Sequence, residues 1–160
     1  MNIKKKILGI TIAPVITLGL ISMFLTTTMV RSAMLEEIEE ALRGTAAATL
    51  AAYDQNTGDY LQTSNGDIWK GSYNISKSES LVDRIKGNTD MDVTFFYGDT
   101  RIMTSAVDAG GNRILNSKAG DRIVEKVLQG GESYFSHAVS IEGTLNYGYF
   151  IPVSYTHLEP

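Results

Sequence analysis

No charged side chain occurs between Ile7 and Val30, and from Ser32 onward apolar positions recur every three or four residues. The first pattern covers 24 residues. At 1.5 Å per residue a helix of that length extends about 36 Å, enough to cross a hydrocarbon layer of roughly 30 Å with some tilt. Pro14 falls in its first turns, where proline costs less than at mid-helix. The second pattern places Leu35, Ile38, Leu42, Ala46, Leu50 and Tyr53 on one stripe between glutamates. Six alanines between Ala41 and Ala52 add helix propensity. Together the two patterns predict one rod of about 50 residues, on the order of 75 Å long.

Asp54 to Tyr73 reads as a polar loop with Gly58, Gly66, Gly71 and the sole tryptophan, Trp69. Ser76 followed by Glu79 has capping-box spacing, Leu81, Val82 and Ile85 supply an apolar face, and Gly87 is a natural stop. Strands follow. Val93 to Tyr97 and Arg101 to Val107 flank a Gly98-Asp99 turn, and Arg113 to Leu115 forms a third, short strand after the loop Asp108 to Asn112. Gly120 to Leu128 has helical spacing, ended by Gly130-Gly131. Ser133 to Ile141 and Leu145 to Val153 close a hairpin around Glu142-Gly143. The order predicts an α+β domain: a five-stranded antiparallel sheet with helices on one side.

Charge orients the chain. Lys4, Lys5 and Lys6 precede the apolar run and glutamates follow it, so the positive-inside rule puts the N-terminus in the cytoplasm and the rest outside. A cleaved signal peptide would have an apolar region of only about 7–15 residues, and Val30-Arg31-Ser32-Ala33 is a poor cleavage site. The expected organisation is a basic stub at 1–6, a membrane span at 7–30, an outer domain at 31–153 and a tail at 154–160. Three of the 14 basic residues precede the span, leaving 11 against 18 acidic ones outside, net −7. With no cysteine in 160 residues, disulfide scaffolds, cysteine metal sites and thiol nucleophiles are excluded. His137 and His157 are too few for a multi-histidine metal site, and the acidic balance argues against a nucleic-acid partner. Such a domain suits a bacterial envelope.

Several segments resemble, in order and spacing, the extracellular single-Cache sensor domains of bacterial chemoreceptors. They are Asp67 to Gly71, Asp92 to Ser105, Gly111 to Ile114, Val127 to Tyr134 and Tyr147 to Pro152. The resemblance covers about residues 1–153. It implies a PAS-like sheet under covering helices, in the sensor portion of a methyl-accepting chemotaxis protein. It also implies a homodimer in membrane lipid that binds a small molecule outside, with a second span leading to a signalling coiled coil. The chain stops before any second span, so a gene fragment is expected, with Ser154 to Pro160 not native. Histidine kinases and cyclic-dinucleotide enzymes carry the same kind of sensor and are the nearest alternative. A pilin-like structural subunit is disfavoured because its span would carry an early acidic residue, and this one has none.

A ligand pocket is expected between the sheet and its cover of loop and short helix. Period-two alternation puts Arg101, Met103 and Ser105 on one face and Ile102, Thr104 and Ala106 on the other. Arg101 is the leading candidate: its planar fork suits a carboxylate, and the resemblance places an arginine there. The competing role is a salt bridge to Asp99 or Asp92. Arg113 is a further ligand-binding candidate, but it follows a hairpin loop and reads more readily as solvated. Tyr97, Tyr147, Tyr149 and Thr104 offer hydroxyls, but tyrosine and threonine are also ordinary strand residues. Trp69 either closes over a ligand or plugs the gap under its loop. His137 reads as a surface or core histidine. The available arginine favours an organic acid. No cofactor is expected, and no nucleophile elbow or phosphate loop is present, so catalysis is not expected.

Overall fold

The computed structural model describes residues 3–153, with side chains from Ile10 onward. Met1, Asn2 and the tail 154–160 lie outside the described residues. The chain divides into two compact units, Met1–Ile38 and Glu39–Pro160. One helix, α1 (Ile3–Asp54), supplies most of the first and opens the second.

In the first unit the apolar side chains from Ile10 to Val30 are exposed on every side of the helix. The helix is long and apolar enough to cross a membrane. Three of its threonines are satisfied internally: Thr17 and Thr27 each donate to the carbonyl four residues back at 2.8 Å, and Thr28 donates to the Leu25 carbonyl at 2.9 Å. An apolar medium requires that arrangement, because it offers no water to take their place.

In the second unit, Leu42, Ala46, Leu50 and Tyr53 are among the covered positions of α1, as the spacing predicts. The expected loop contains a small antiparallel sheet of β1 (Tyr60–Gln62), β2 (Ile68–Lys70) and β3 (Tyr73–Asn74). Two glycines make it possible. Gly71 has φ +56°, and a Cβ there would run into the Thr57 carbonyl; a Cβ on Gly58 would lie 2.8 Å from the Gly71 Cα. Gly71→Ala is expected to lower stability by roughly 2–3 kcal/mol. Gly66→Ala, also at positive φ but with open space around it, should cost roughly 1 kcal/mol. Denaturant midpoints of the two variants check the difference.

A 3₁₀ turn, Ile75–Lys77, leads into α2 (Glu79–Thr89). Here the expected cap is corrected. Ser78 is the N-cap, without a side-chain capping bond, while the Ser76 hydroxyl accepts from the Ile68 N–H at 2.9 Å. The helix also passes Gly87. It ends at Asp90, whose left-handed backbone (φ 59°) lets its N–H reach the Lys86 carbonyl at 2.8 Å.

β4 (Thr94–Tyr97) and β5 (Thr100–Thr104) pair antiparallel with a bulge at Phe95/Phe96. The third strand expected at 113–115 is reduced to a bridge between Val107 and Arg113, because Asn116 takes a left-handed conformation (φ 60°) that breaks an extended run. A short helix, α3 (Asp121–Ile123), widens into a π turn, Val124–Gln129. β6 (Tyr134–Ile141) and β7 (Thr144–Phe150) form the closing hairpin around Glu142-Gly143.

The architecture is α+β. The expected single five-stranded sheet is corrected: among the described residues seven strands form three separate antiparallel sheets. Residues of β4 and of β7 line the same cavity instead of pairing with each other. Two clusters make the core. Tyr53, Ile68 and Ile75 join α1 to the small sheet, and Val82, Val93 and Met103 join α2 to the β4–β5 hairpin. Phe95 packs against both.

Candidate functional site

Arg101 sits in β5 and is only 7% exposed. Its backbone is clamped on the loop side: its N–H donates to the Ser117 carbonyl and its carbonyl accepts from the Asn116 N–H, both at 2.9 Å. Opposite it across the hairpin is Phe96, on the same face, and the guanidinium lies 5.5 Å from the centre of that ring. Neither expected carboxylate pairs with it. Asp99 is held by Lys118 at 2.7 Å, and Asp92 by Lys86 and the Ser105 hydroxyl, both at 2.8 Å. The guanidinium makes one long bond, Nη1 to the Ile114 carbonyl at 3.4 Å, and its Nε is buried without a partner. The hydroxyl of Ser117, at the same rung, is also buried and unpartnered. Burial lowers the pKa of Arg101, and the charge of Asp92 only partly opposes that. A cation has been desolvated here without a carboxylate in ion-pair contact, and the residue bonded to its backbone N–H carries a second unsatisfied polar group. Both could be satisfied by a bound anion.

The second feature is a cavity of about 240 Å³. Its walls are Thr45, Ala46, Thr49 and Leu50 of α1, Val93 with Thr94 to Phe96 of β4, Ile123 of α3 with Val127 and Leu128 of the π turn, and Gly148 to Phe150 of β7 with the three residues that follow. The expected pocket under the loop and short helix is corrected, since no residue between Asp54 and Thr89 lines this cavity. The sequence pattern missed it because its walls come from four segments far apart in the chain.

The remaining candidates are dispersed. Tyr149 lines the cavity. Tyr97 is half-buried against the Tyr53 cluster. Thr104 is 0% exposed, and its hydroxyl is engaged with that of Thr94 at 2.7 Å and with the Ala106 N–H at 3.1 Å. Trp69 is half-buried in β2, opposite Leu61 and Asn74, away from the cavity. Tyr147 is 43% exposed and stacks on Phe135 beside His137, which is exposed on the β6–β7 hairpin.

Arg113 is corrected from solvated to structural. Its Nη2 meets Asp83 at 2.6 Å and its Nη1 donates to the Thr104 carbonyl at 2.7 Å, tying α2 to β5. The hydrogen bond to Arg113 lowers the pKa of Asp83, and the same bond raises that of Arg113. Among the described residues no group of three or more His, Asp or Glu side chains is placed to hold a metal ion.

A small α+β domain behind a long apolar helix, with an unneutralised buried cation, has the features of a ligand sensor. The family described as single cache domain 3 matches residues 73–157, just over half of the chain. The chain belongs to that family, whose domains are extracellular sensor modules for small molecules. No curated protein and no solved structure matches the chain.

Proposed function

We propose that this chain is the sensor portion of a bacterial transmembrane chemoreceptor and that it binds a small organic acid through Arg101. The observation that carries the ligand class is the buried guanidinium without a carboxylate partner and with an unpartnered Nε, on a rung whose opposite residue, Ser117, has an unpartnered hydroxyl. A carboxylate there accepts from the guanidinium fork and takes the Ser117 hydroxyl as a further donor. The chemoreceptor context rests on the resemblance of the Asp92–Ser105 and Val127–Tyr134 motifs, and the homodimer on the same ground.

The domain acts by binding and not by catalysis. To signal, the acid must bind one arrangement of the domain more tightly than another, and that shift must reach α1. Without that difference in affinity nothing would be transmitted. The test is a melting-temperature screen of the whole chain in lipid nanodiscs against organic acids, amino acids, amines and purines. A saturable rise with acids alone is expected, and a rise with amines alone would overturn the ligand class.

The basic stub lies in the cytoplasm, α1 crosses the bacterial membrane, and the sensor faces outward. Because the chain holds no cysteine, single introduced cysteines report topology cleanly. In intact cells with a permeable outer envelope, Asn65→Cys is expected to react with a membrane-impermeant maleimide, and Lys4→Cys only after lysis. The reverse pattern would overturn the orientation.

A further inference from the structure

The cavity beside α1 is separate from Arg101, which does not line it. No charged side chain lines it either. Its threonine hydroxyls are already committed: Thr49 donates to the Thr45 carbonyl at 2.7 Å, Thr45 to the Met91 sulfur at 3.2 Å, and Thr94 bonds with Thr104. A charged guest would lose its hydration there and find nothing to replace it. The size is also informative. An apolar cavity of roughly 150 Å³ accommodates a benzene ring, and this one, at about 240 Å³, has room for two fused rings.

The wall opposite α1 is built in an unusual way. In the π turn Val124–Gln129 the Gly130 N–H bonds to the Glu125 carbonyl, five residues back, at 3.0 Å. Widening the helix in this way carries Val127 and the adjacent Leu128 to the same wall as Ile123. The turn depends on Gly130, where a Cβ would lie 2.7 Å from the Lys126 carbonyl oxygen. Such π turns are rare and recur at functional sites. Gly148, also on the wall, has no room for a side chain, since a Cβ would lie 2.8 Å from Val139 Cγ2. The apolar lining and the widened turn thus define a distinct chamber against the helix.

We propose that this chamber is a second ligand site, for a neutral, mainly apolar molecule of one or two rings, held directly against α1 at Ala46, Thr49 and Leu50. A guest there touches the helix without passing through Arg101 or its loop, so the site goes beyond the organic-acid reading and stands independently of it.

The test is a titration of the whole chain in lipid nanodiscs with indole, followed by isoleucine methyl NMR. Partition of indole into the lipid does not confuse this signal, because it is read at named residues. Saturable shifts of the Ile123 and Ile151 methyls are expected, with Ile68 and Ile75 unmoved. Indole-2-carboxylate should leave all four in place at the same concentrations. Ala46→Leu, which fills the chamber, should weaken indole binding at least tenfold, and Arg101→Gln should leave it unchanged.

Absence of shifts up to millimolar indole would overturn the proposal. So would equal response to the carboxylate, or unchanged affinity in a folded Ala46→Leu protein. Should that variant not fold, Leu128→Phe, at a side chain already half exposed, serves the same purpose. Loss of indole binding in a folded Arg101→Gln protein would merge the two sites and overturn the claim of a separate one.

Discussion

Arg101→Met should melt at a higher temperature than the parent chain and lose every response to organic acids. The two effects have one cause. The guanidinium is 7% exposed, has no carboxylate partner and leaves its Nε unsatisfied. Holding an unpaired ion in that position costs several kcal/mol, and replacing buried charges by apolar groups of similar volume often stabilises a fold. A gain of about 1–3 kcal/mol is expected for Arg101→Met, read as a shift of several degrees in the melting temperature. In the parent chain an acid at a hundred times its dissociation constant adds about 2.7 kcal/mol, and the variant should show none of it. Arg101→Lys keeps the charge but not the fork, so a weakened response is expected. If Arg101→Met instead melts lower, the guanidinium is a structural member that braces Phe96 and the Ile114 carbonyl, and the anion site is wrong.

Tyr53→Ala should be the most destabilising single change in the sensor unit, at about 3–5 kcal/mol. Tyr53 is 0% exposed and lies at the end of α1 among Ile68, Ile75, Tyr73 and Phe95. Its ring meets Tyr73 at 5.6 Å and Phe95 at 4.5 Å, both edge-on. Its hydroxyl donates to Ser78 at 2.6 Å, and Ser78 donates in turn to the Ile75 carbonyl at 2.7 Å. Tyr53→Phe keeps the packing and loses one hydrogen bond, a cost of about 1 kcal/mol.

The same residue sets an alkaline limit. Burial, opposed by the bond to Ser78, pushes the Tyr53 hydroxyl up from 10.0 to about 12. Below the lower value both folded and unfolded chains keep the proton, and stability does not depend on this group. Between the two values the unfolded chain ionises while the folded one does not, so stability falls as the pH rises. Unfolding midpoints across that window should drop in the parent chain and flatten in Tyr53→Phe. An unchanged slope would mean that another group controls the transition.

What could be read from the chain was local. The α1 stripe through Leu42, Ala46, Leu50 and Tyr53 follows from helical spacing, and all four are covered. Glu142-Gly143 was legible as a turn because two adjacent residues with positive φ, here 49° and 77°, match the twist of the flanking strands. Gly87 misled because a glycine stop is only a preference, and the left-handed conformation that ended α2 was taken by Asp90 instead. The sheet within residues 60–74 was hidden by strands of two or three residues, too short for alternation to register. Of the candidate site residues, Tyr149 lines the cavity and Arg101 is buried without a carboxylate partner. Arg113 and Thr104 were drawn into structural bonds with partners that no spacing rule connects to them.

The apolar helix, its flanking charges, the α+β order and the absence of cysteine chemistry all follow from the chain as written, because each depends on residues close together or on composition alone. Which charges are paired was settled by the fold. Lys86 and Lys118 took the two aspartates expected to pair with Arg101 and left that cation buried without a carboxylate partner. It also decided where space remains, because a cavity is a property of distant segments that fail to touch. Residues from Thr45 to Val153 had to come together before the chamber beside α1 existed.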